Sequence, residues 1–166
     1  GLKEVYSKFF NPLKNTYNFF SMYATTDNID IEECNIPIND REEIDKWLLS
    51  RYNSLLKVVT NGYEEYDLNK VVRSITNFVA EDLSNWYIRR CRNRFWGSVL
   101  DTSKKSVYIT TYEVLVGLSK LIAPITPFLS EELYRNLTNE ESVHLTLYPE
   151  YKEDLINEIV EENGYT

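Results

Sequence analysis

Histidine occurs once in these 166 residues, at His144, so no paired-histidine metal site and no histidine-rich catalytic motif can be built within the chain. His144 itself reads as structural. The five glycines stand alone at positions 1, 62, 97, 117 and 164, which excludes the phosphate-cradling fingerprints G-x-G-x-x-G and the P-loop. Cys34 and Cys91 are far apart, with no C-x-x-C pairing, and support neither a disulfide framework nor a zinc site. They read as free thiols of a reducing, cytoplasmic compartment. No run approaches the apolar length of a membrane span, so no membrane partner is expected. Acidic neighbours such as Glu131-Glu132 and Glu161-Glu162 diverge on a helix and make no carboxylate dyad. No residue is assigned a catalytic, metal-binding or cofactor-binding role, and a binding or scaffold domain is expected. The opening Gly1-Leu2-Lys3-Glu4-Val5-Tyr6 lacks the plan of a signal peptide and starts without Met or a helix cap, as expected of a piece of a longer protein.

With only five prolines beside the five glycines, turns are few and elements long. A chain of this length has room for one domain with a sizeable core. Its net charge of −8 argues against a nonspecific nucleic-acid coat, yet the charge is unevenly placed. Between Arg89 and Lys105, six basic residues face a single acid, Asp101, a local +5 that leaves −13 to the remainder. The run Asn85-Trp86-Tyr87-Ile88-Arg89-Arg90-Cys91-Arg92-Asn93-Arg94-Phe95-Trp96 interleaves arginines with aromatics. Guanidinium forks match phosphates and aromatic faces stack on bases, so such a surface suits structured or partly single-stranded RNA. The same residues also suit a helix whose arginines pair with carboxylates on its neighbours.

Hydrophobic spacing predicts an all-α, up-and-down bundle of four to six helices. Leu2, Val5, Tyr6, Phe9, Leu13, Tyr17, Phe20 and Ala24 mark a long first helix, kinked or restarted at Pro12. Residues 25–38 read as a loop. Asn39 or Asp40 caps a second helix whose stripe includes Ile44, Trp47, Leu48, Tyr52, Leu55 and Val59, ended by Asn61-Gly62. A third helix from Asp67 buries Leu68, Val71, Ile75, Phe78, Val79, Leu83 and Trp86. Continued at 3.6 residues per turn, its stripe reaches Arg89 or Arg90 and then Asn93, so the apolar face turns cationic in register. Either the helix projects past the bundle toward a partner, or the arginines are buried against acids. Ser103 opens a fourth helix closed by Pro124, and Thr126-Pro127 starts a fifth through Leu137. Trp86, Tyr87, Phe95 and Phe128 are expected in the core. Val143 to Leu147 alternates and Asp154 to Val160 reads as a sixth helical turn. The expected division is a bundle over 1–140 and an extension, or start of a linker, over 141–166.

The segment from Asn85 to Trp96 resembles the signature helix of the anticodon-binding domain of isoleucyl-tRNA synthetases. Three further stretches agree in order: Asn15-Thr16-Tyr17-Asn18-Phe19-Phe20, Asp45-Lys46-Trp47-Leu48-Leu49-Ser50-Arg51, and Ala123-Pro124-Ile125-Thr126-Pro127-Phe128 with Glu131-Glu132-Leu133-Tyr134. The last is shared with the valine, leucine and methionine enzymes of class I, while the arginine helix narrows the likeness to isoleucine. Ser142-Val143-His144-Leu145 before Pro149 extends it over roughly residues 2 to 150. The family's two ATP motifs, H-I-G-H and K-M-S-K-S, are absent: Met22 is the one methionine and lies between Ser21 and Tyr23. The resemblance therefore implies a catalytic domain, with its ATP and magnesium, an editing domain and a C-terminal tail outside these residues.

What the resemblance implies for this chain is a grip on the anticodon stem-loop of an isoleucine tRNA, in a monomeric parent. Arg89, Arg92 and Arg94 are expected on phosphates or base edges, Asn93 on a base edge, and Trp96 as a stacking face. Asn15 and Phe19 on the first helix are further candidates, although a wide apolar face explains Phe19 as well. Two competing expectations are the equivalent domain of a valine or leucine ligase, and a helical module that docks on an acidic protein surface.

Overall fold

The computed structural model describes the backbone of residues 2–138 and the side chains of residues 11–138. Among the described residues every regular element is helical. In order these are α1 (Leu2–Thr26), 3₁₀ turns at Ile31–Cys34 and Ile38–Asp40, α2 (Glu43–Glu64), α3 (Leu68–Asn77), a π-helical stretch (Phe78–Ile88), α4 (Arg89–Trp96), α5 (Thr102–Leu121) and α6 (Pro127–Thr138). Because the backbone stays helical at Asn77, Phe78, Ile88 and Arg89, α3, the π stretch and α4 form one continuous rod. The all-α bundle read from the sequence is the fold observed. Leu2, Val5, Tyr6 and Phe9 of the first stripe, His144 and both C-terminal segments lie outside the residues whose side chains are described.

Short turns make antiparallel neighbours, and side-chain contacts fix their directions. Asp45 meets Tyr87, Trp47 meets Trp86 and Tyr52 meets Phe78, so α2 runs against the rod. Asp45 also shares Arg94 with Ser103, and Tyr63 reaches the Leu121 carbonyl at 3.0 Å, so α2 and α5 run together. One end of the bundle thus gathers the end of α1, the start of α2, the end of α4 and the start of α5. The Tyr52 side chain of α2 packs so closely on α5 that a Cβ on Gly117 would lie 1.7 Å from its hydroxyl oxygen. A larger residue at Gly117 would have to displace the buried Tyr52 ring.

Several boundaries differ from the sequence expectation. Asn39 and Asp40 fall in the second 3₁₀ turn and Glu42 is the cap of α2, because the chain needs those extra residues to place buried Arg41 against α5. Its guanidinium donates to both Glu113 carboxylate oxygens, at 2.8 and 2.9 Å, and to Thr110. Asn61-Gly62 does not end α2: Gly62 is a close-packing position against Val71, and the turn falls at Tyr66, with φ 57°. Asp67 caps α3 as expected, but Asp101 rather than Ser103 caps α5. Tyr87 and Phe95 are fully buried and Trp86 half-buried, whereas Phe128 is 90% exposed at the first turn of α6.

The register of the rod departs most from expectation. Val71, Ile75, Val79, Leu83, Tyr87, Cys91 and Phe95 recur at every fourth position and all are buried. In a pure α-helix each such step overshoots a full turn by roughly 40°, which would carry the line most of the way around the rod. The wider π turns, where the Arg89 N–H reaches the Ser84 carbonyl five residues back, absorb the overshoot. Cys91 and Phe95 therefore continue the core stripe, in place of Arg89 or Arg90 and Asn93.

Candidate nucleic-acid interface

With Cys91 and Phe95 held inward, the opposite face of α4 is set. Arg89, Arg92, Asn93 and Trp96 stand at i, i+3, i+4 and i+7, on one face, and all four are exposed. Arg89, Arg92 and Asn93 make no side-chain hydrogen bond or ion pair among the described residues. The helix thus brings four of the expected site residues into one stripe of two cations, an amide and an indole. Arg90 flanks it, its guanidinium carbon 3.6 Å from the centre of the Trp86 ring, an exposed cation held flat on an aromatic face.

Arg94 departs from its expected role. Its two terminal nitrogens donate to the two carboxylate oxygens of Asp45, at 2.8 and 2.7 Å, one of them also to the Ser103 carbonyl at 2.8 Å. Its Nε reaches Ser103 Oγ at 2.9 Å and Glu42 at 2.7 Å. The Asp45 side chain is fully buried and also accepts from the Tyr87 hydroxyl at 2.6 Å. Burial alone would lower the guanidinium's pKa, but the Asp45 hydrogen bonds and the surrounding groups override it and hold Arg94 firmly charged. The same setting pushes the Tyr87 hydroxyl well above its ordinary range, by burial first and Asp45 second. Arg94 meets the alternative read from the sequence: it is an arginine buried against acids, fastening α4 to α2 and α5. Lys104, counted in the basic run, is likewise committed, to Asp27 at 2.7 Å and to the Gly97 carbonyl.

On α1, Phe19 is half-buried with its ring edge-on to Phe95 at 5.2 Å and 4.8 Å from Tyr23, which places it in the aromatic core. Tyr23 lies 6.4 Å from Trp96 and so joins α1 to the exposed stripe. Asn15 is exposed one turn before Phe19. The sequence left Arg89 and Arg90 unseparated, and both belong to the surface; it did not point to Glu42 and Asp45, which hold Arg94. The every-fourth-residue line from Val71 to Phe95 was the signal that Cys91 and Phe95, rather than Asn93, face the core. Among the described residues no group of His, Cys, Asp and Glu side chains could hold a metal ion, and no helix is long and apolar enough to cross a membrane.

A family model described as the anticodon-binding domain of tRNA ligase matches residues 45–165. The chain is 44% identical to an isoleucine–tRNA ligase of Bacteroides thetaiotaomicron, over 97% of this chain and 14% of that protein. It is 42% identical to one of Pyrococcus abyssi, over 97% of this chain and 15% of that protein. For one of Clostridium acetobutylicum the identity is 41%, over 96% of this chain and 16% of that protein. The chain thus spans about a seventh of the length of these curated relatives. A helical bundle presenting an arginine, amide and indole stripe at one end, matched by that family model over most of its length, belongs to the anticodon-binding domain family of the tRNA ligases.

Proposed function

We propose that this chain is the part of an isoleucine–tRNA ligase that holds the anticodon stem-loop of its tRNA. The observation that carries the reading is the outward stripe of α4, where Arg89, Arg92, Asn93 and Trp96 remain exposed while the neighbouring Arg94 is consumed in the core. Arg89 and Arg92, flanked by Arg90, supply phosphate contacts, and each contact neutralised would steepen the loss of affinity with salt. Asn93 offers a donor and an acceptor to a base edge, and Trp96 a stacking face worth about 1 to 3 kcal/mol per base. Asn15 extends this surface onto α1, and Phe19 supports it from behind. Arg94 acts indirectly, by fixing the pitch at which the stripe is presented.

In this reading the parent enzyme is cytoplasmic, activates isoleucine with ATP and magnesium in a separate catalytic domain, and esterifies it to the tRNA gripped here. The chain contributes binding and orientation and no catalytic group. The test is binding of the protein to transcribed isoleucine tRNA across a salt series, beside the same tRNA with its anticodon replaced. Salt-sensitive binding that drops on replacement is expected, with Arg92→Ala weakening it and reducing the salt slope by about 1. Equal binding to both RNAs would reduce the surface to a phosphate clamp. Absence of binding, with an acidic protein surface binding instead, would replace the reading by a protein-docking module.

A further inference from the structure

Between α1, α5 and α6 runs a groove of about 380 Å³ that the RNA-binding stripe of α4 does not use. One wall begins where α1 closes. Asn28 takes a left-handed backbone, φ 52°, which asparagine tolerates better than most residues, and the Ile29 N–H returns to the Ala24 carbonyl at 2.9 Å. The turn brings Ile29 and Ile31 back to the groove instead of letting the chain run on. Phe20, 4% exposed, lies beneath, its ring 6.4 Å from that of Tyr112 on α5. Leu137 joins from the last turn of α6. Tyr17, Ala24, Ile29, Ile31, Tyr112 and Leu137 are all half-buried, so apolar surface that the core leaves half-covered collects in this one place. No lining residue carries a charge, in a protein of net charge −8. Thr25 and Asn28 are exposed, and their side chains make no hydrogen bond among the described residues.

Helix α6 stops at Thr138, one residue past Leu137, so the chain leaves α6 at the edge of this groove. After the spacer Asn139-Glu140-Glu141 comes Ser142-Val143-His144-Leu145-Thr146-Leu147-Tyr148-Pro149, the longest run without Asp, Glu, Lys or Arg between 139 and 166, with Glu150 directly after it. Its apolar residues Val143, Leu145 and Leu147 alternate, a pattern that suits an extended strand offering one side to an apolar surface and the other to water. Eight extended residues span about 26 Å. The α1 edge of the groove, from Tyr17 to Asn28, measures about 17 Å at 1.5 Å per residue. The run is therefore long enough to lie along it. We propose that the groove is the docking site of this chain's own segment 142–149, with Val143, Leu145 and Leu147 on the apolar lining and the Thr25 and Asn28 side chains bonding its extended backbone. An uncharged groove takes the longest uncharged stretch of the segment that leaves its edge. The acidic residues on either side of that stretch fix its register, because a carboxylate moved onto the apolar lining would be left unpaired. Docking in this way ties α6 to α1 and sets the direction in which the chain continues from the bundle. The inference stands whether or not α4 binds RNA.

The test is nuclear Overhauser spectroscopy on the full 166-residue chain, labelled at its Ile, Leu and Val methyl groups and its aromatic rings. Contacts are expected from the Val143, Leu145 and Leu147 methyls to the Phe20 and Tyr112 rings and to the Ile29 and Ile31 methyls, with ring currents moving the 142–149 methyl signals away from random-coil positions. Leu145→Asp should remove these contacts, return the Val143 and Leu147 methyls to random-coil positions and lower the melting temperature. The contact between the Phe19 and Phe95 rings should persist in that variant, which shows that the bundle still folds. Thr146→Asp, on the other side of the alternation, should change none of these readings. Methyls of 142–149 at random-coil positions, with no contact to the groove, would overturn the proposal and leave the groove to a partner outside the chain. Contacts seen only between differently labelled molecules in a mixed sample would place a second copy there and overturn it as well. Equal effects of Leu145→Asp and Thr146→Asp would remove the alternating register, and with it the assignment.

Discussion

Arg92 and Arg94 lie two positions apart on one helix, carry the same group and have opposite surroundings. Arg92 is exposed and unpaired among the described residues, while Arg94 spends its whole guanidinium on Asp45, Glu42 and Ser103. Removing one partner of a buried ion pair strands the other charge, at a cost of about 3 to 5 kcal/mol. Arg94→Ala should therefore lower unfolding stability by that order in a urea titration, with Asp45→Ala losing a similar amount. The double variant should lose less than the sum of the two, because both remove the same interaction. Arg92→Ala should stay within about 0.5 kcal/mol of the parent, as expected of an exposed residue away from such features. Comparable losses for Arg92→Ala and Arg94→Ala would refute this division. Residue types alone showed that cations and aromatics were concentrated here. They could not separate the two arginines, because burial is a property of what faces each one across the bundle.

Within the rod, the π-helical stretch decides which face of α4 is which. Each residue of an α-helix turns the chain by about 100°, so deleting one residue from the stretch would rotate everything beyond it by a comparable angle. Deletion of Ala80 is expected to swing Cys91 and Phe95 out of the core and Arg94 away from Asp45, with a marked fall in melting temperature. Cys91 provides a direct reporter. Buried and beside Asp45, its thiol is pushed up to about 12 against the opposing influence of Arg94, and should resist alkylation at neutral pH in the parent protein. In the deletion variant it should label readily, as read by mass spectrometry; an unreactive thiol and unchanged melting would show that the stretch does not set the register. The helices themselves were legible, with Asp67 capping α3, Thr126-Pro127 opening α6 and few turn formers between. The π register was not read, because an α period was imposed on a line that repeats every fourth residue from Val71 to Phe95.

Across the whole bundle, burial has raised one class of titratable group. The hydroxyls of Tyr52, Tyr63, Tyr87 and Tyr108 and the thiol of Cys91 are all pushed up, burial being the largest cause in each. These groups are neutral when protonated, and unfolding lets them ionise at their ordinary values, 9.0 for the thiol and 10.0 for tyrosine. Their stabilising effect is complete below those values and is lost as pH rises through the folded ones. Melting temperature should be level from neutral pH to about 9 and then fall steeply above 10. A flat profile to pH 11 would contradict the burial of these groups. The amino-acid sequence by itself determined the all-helical architecture and the location of the basic, aromatic segment, because periodicity, caps and residue chemistry are local. It also carried the family resemblance that the comparisons bear out. Tertiary structure decided which arginines face outward and which are neutralised by Asp45, Glu42 and their neighbours. Those outcomes depend on pairings between residues far apart in the chain, where the cost of burying an unpaired charge selects one arrangement from several that the local pattern allows.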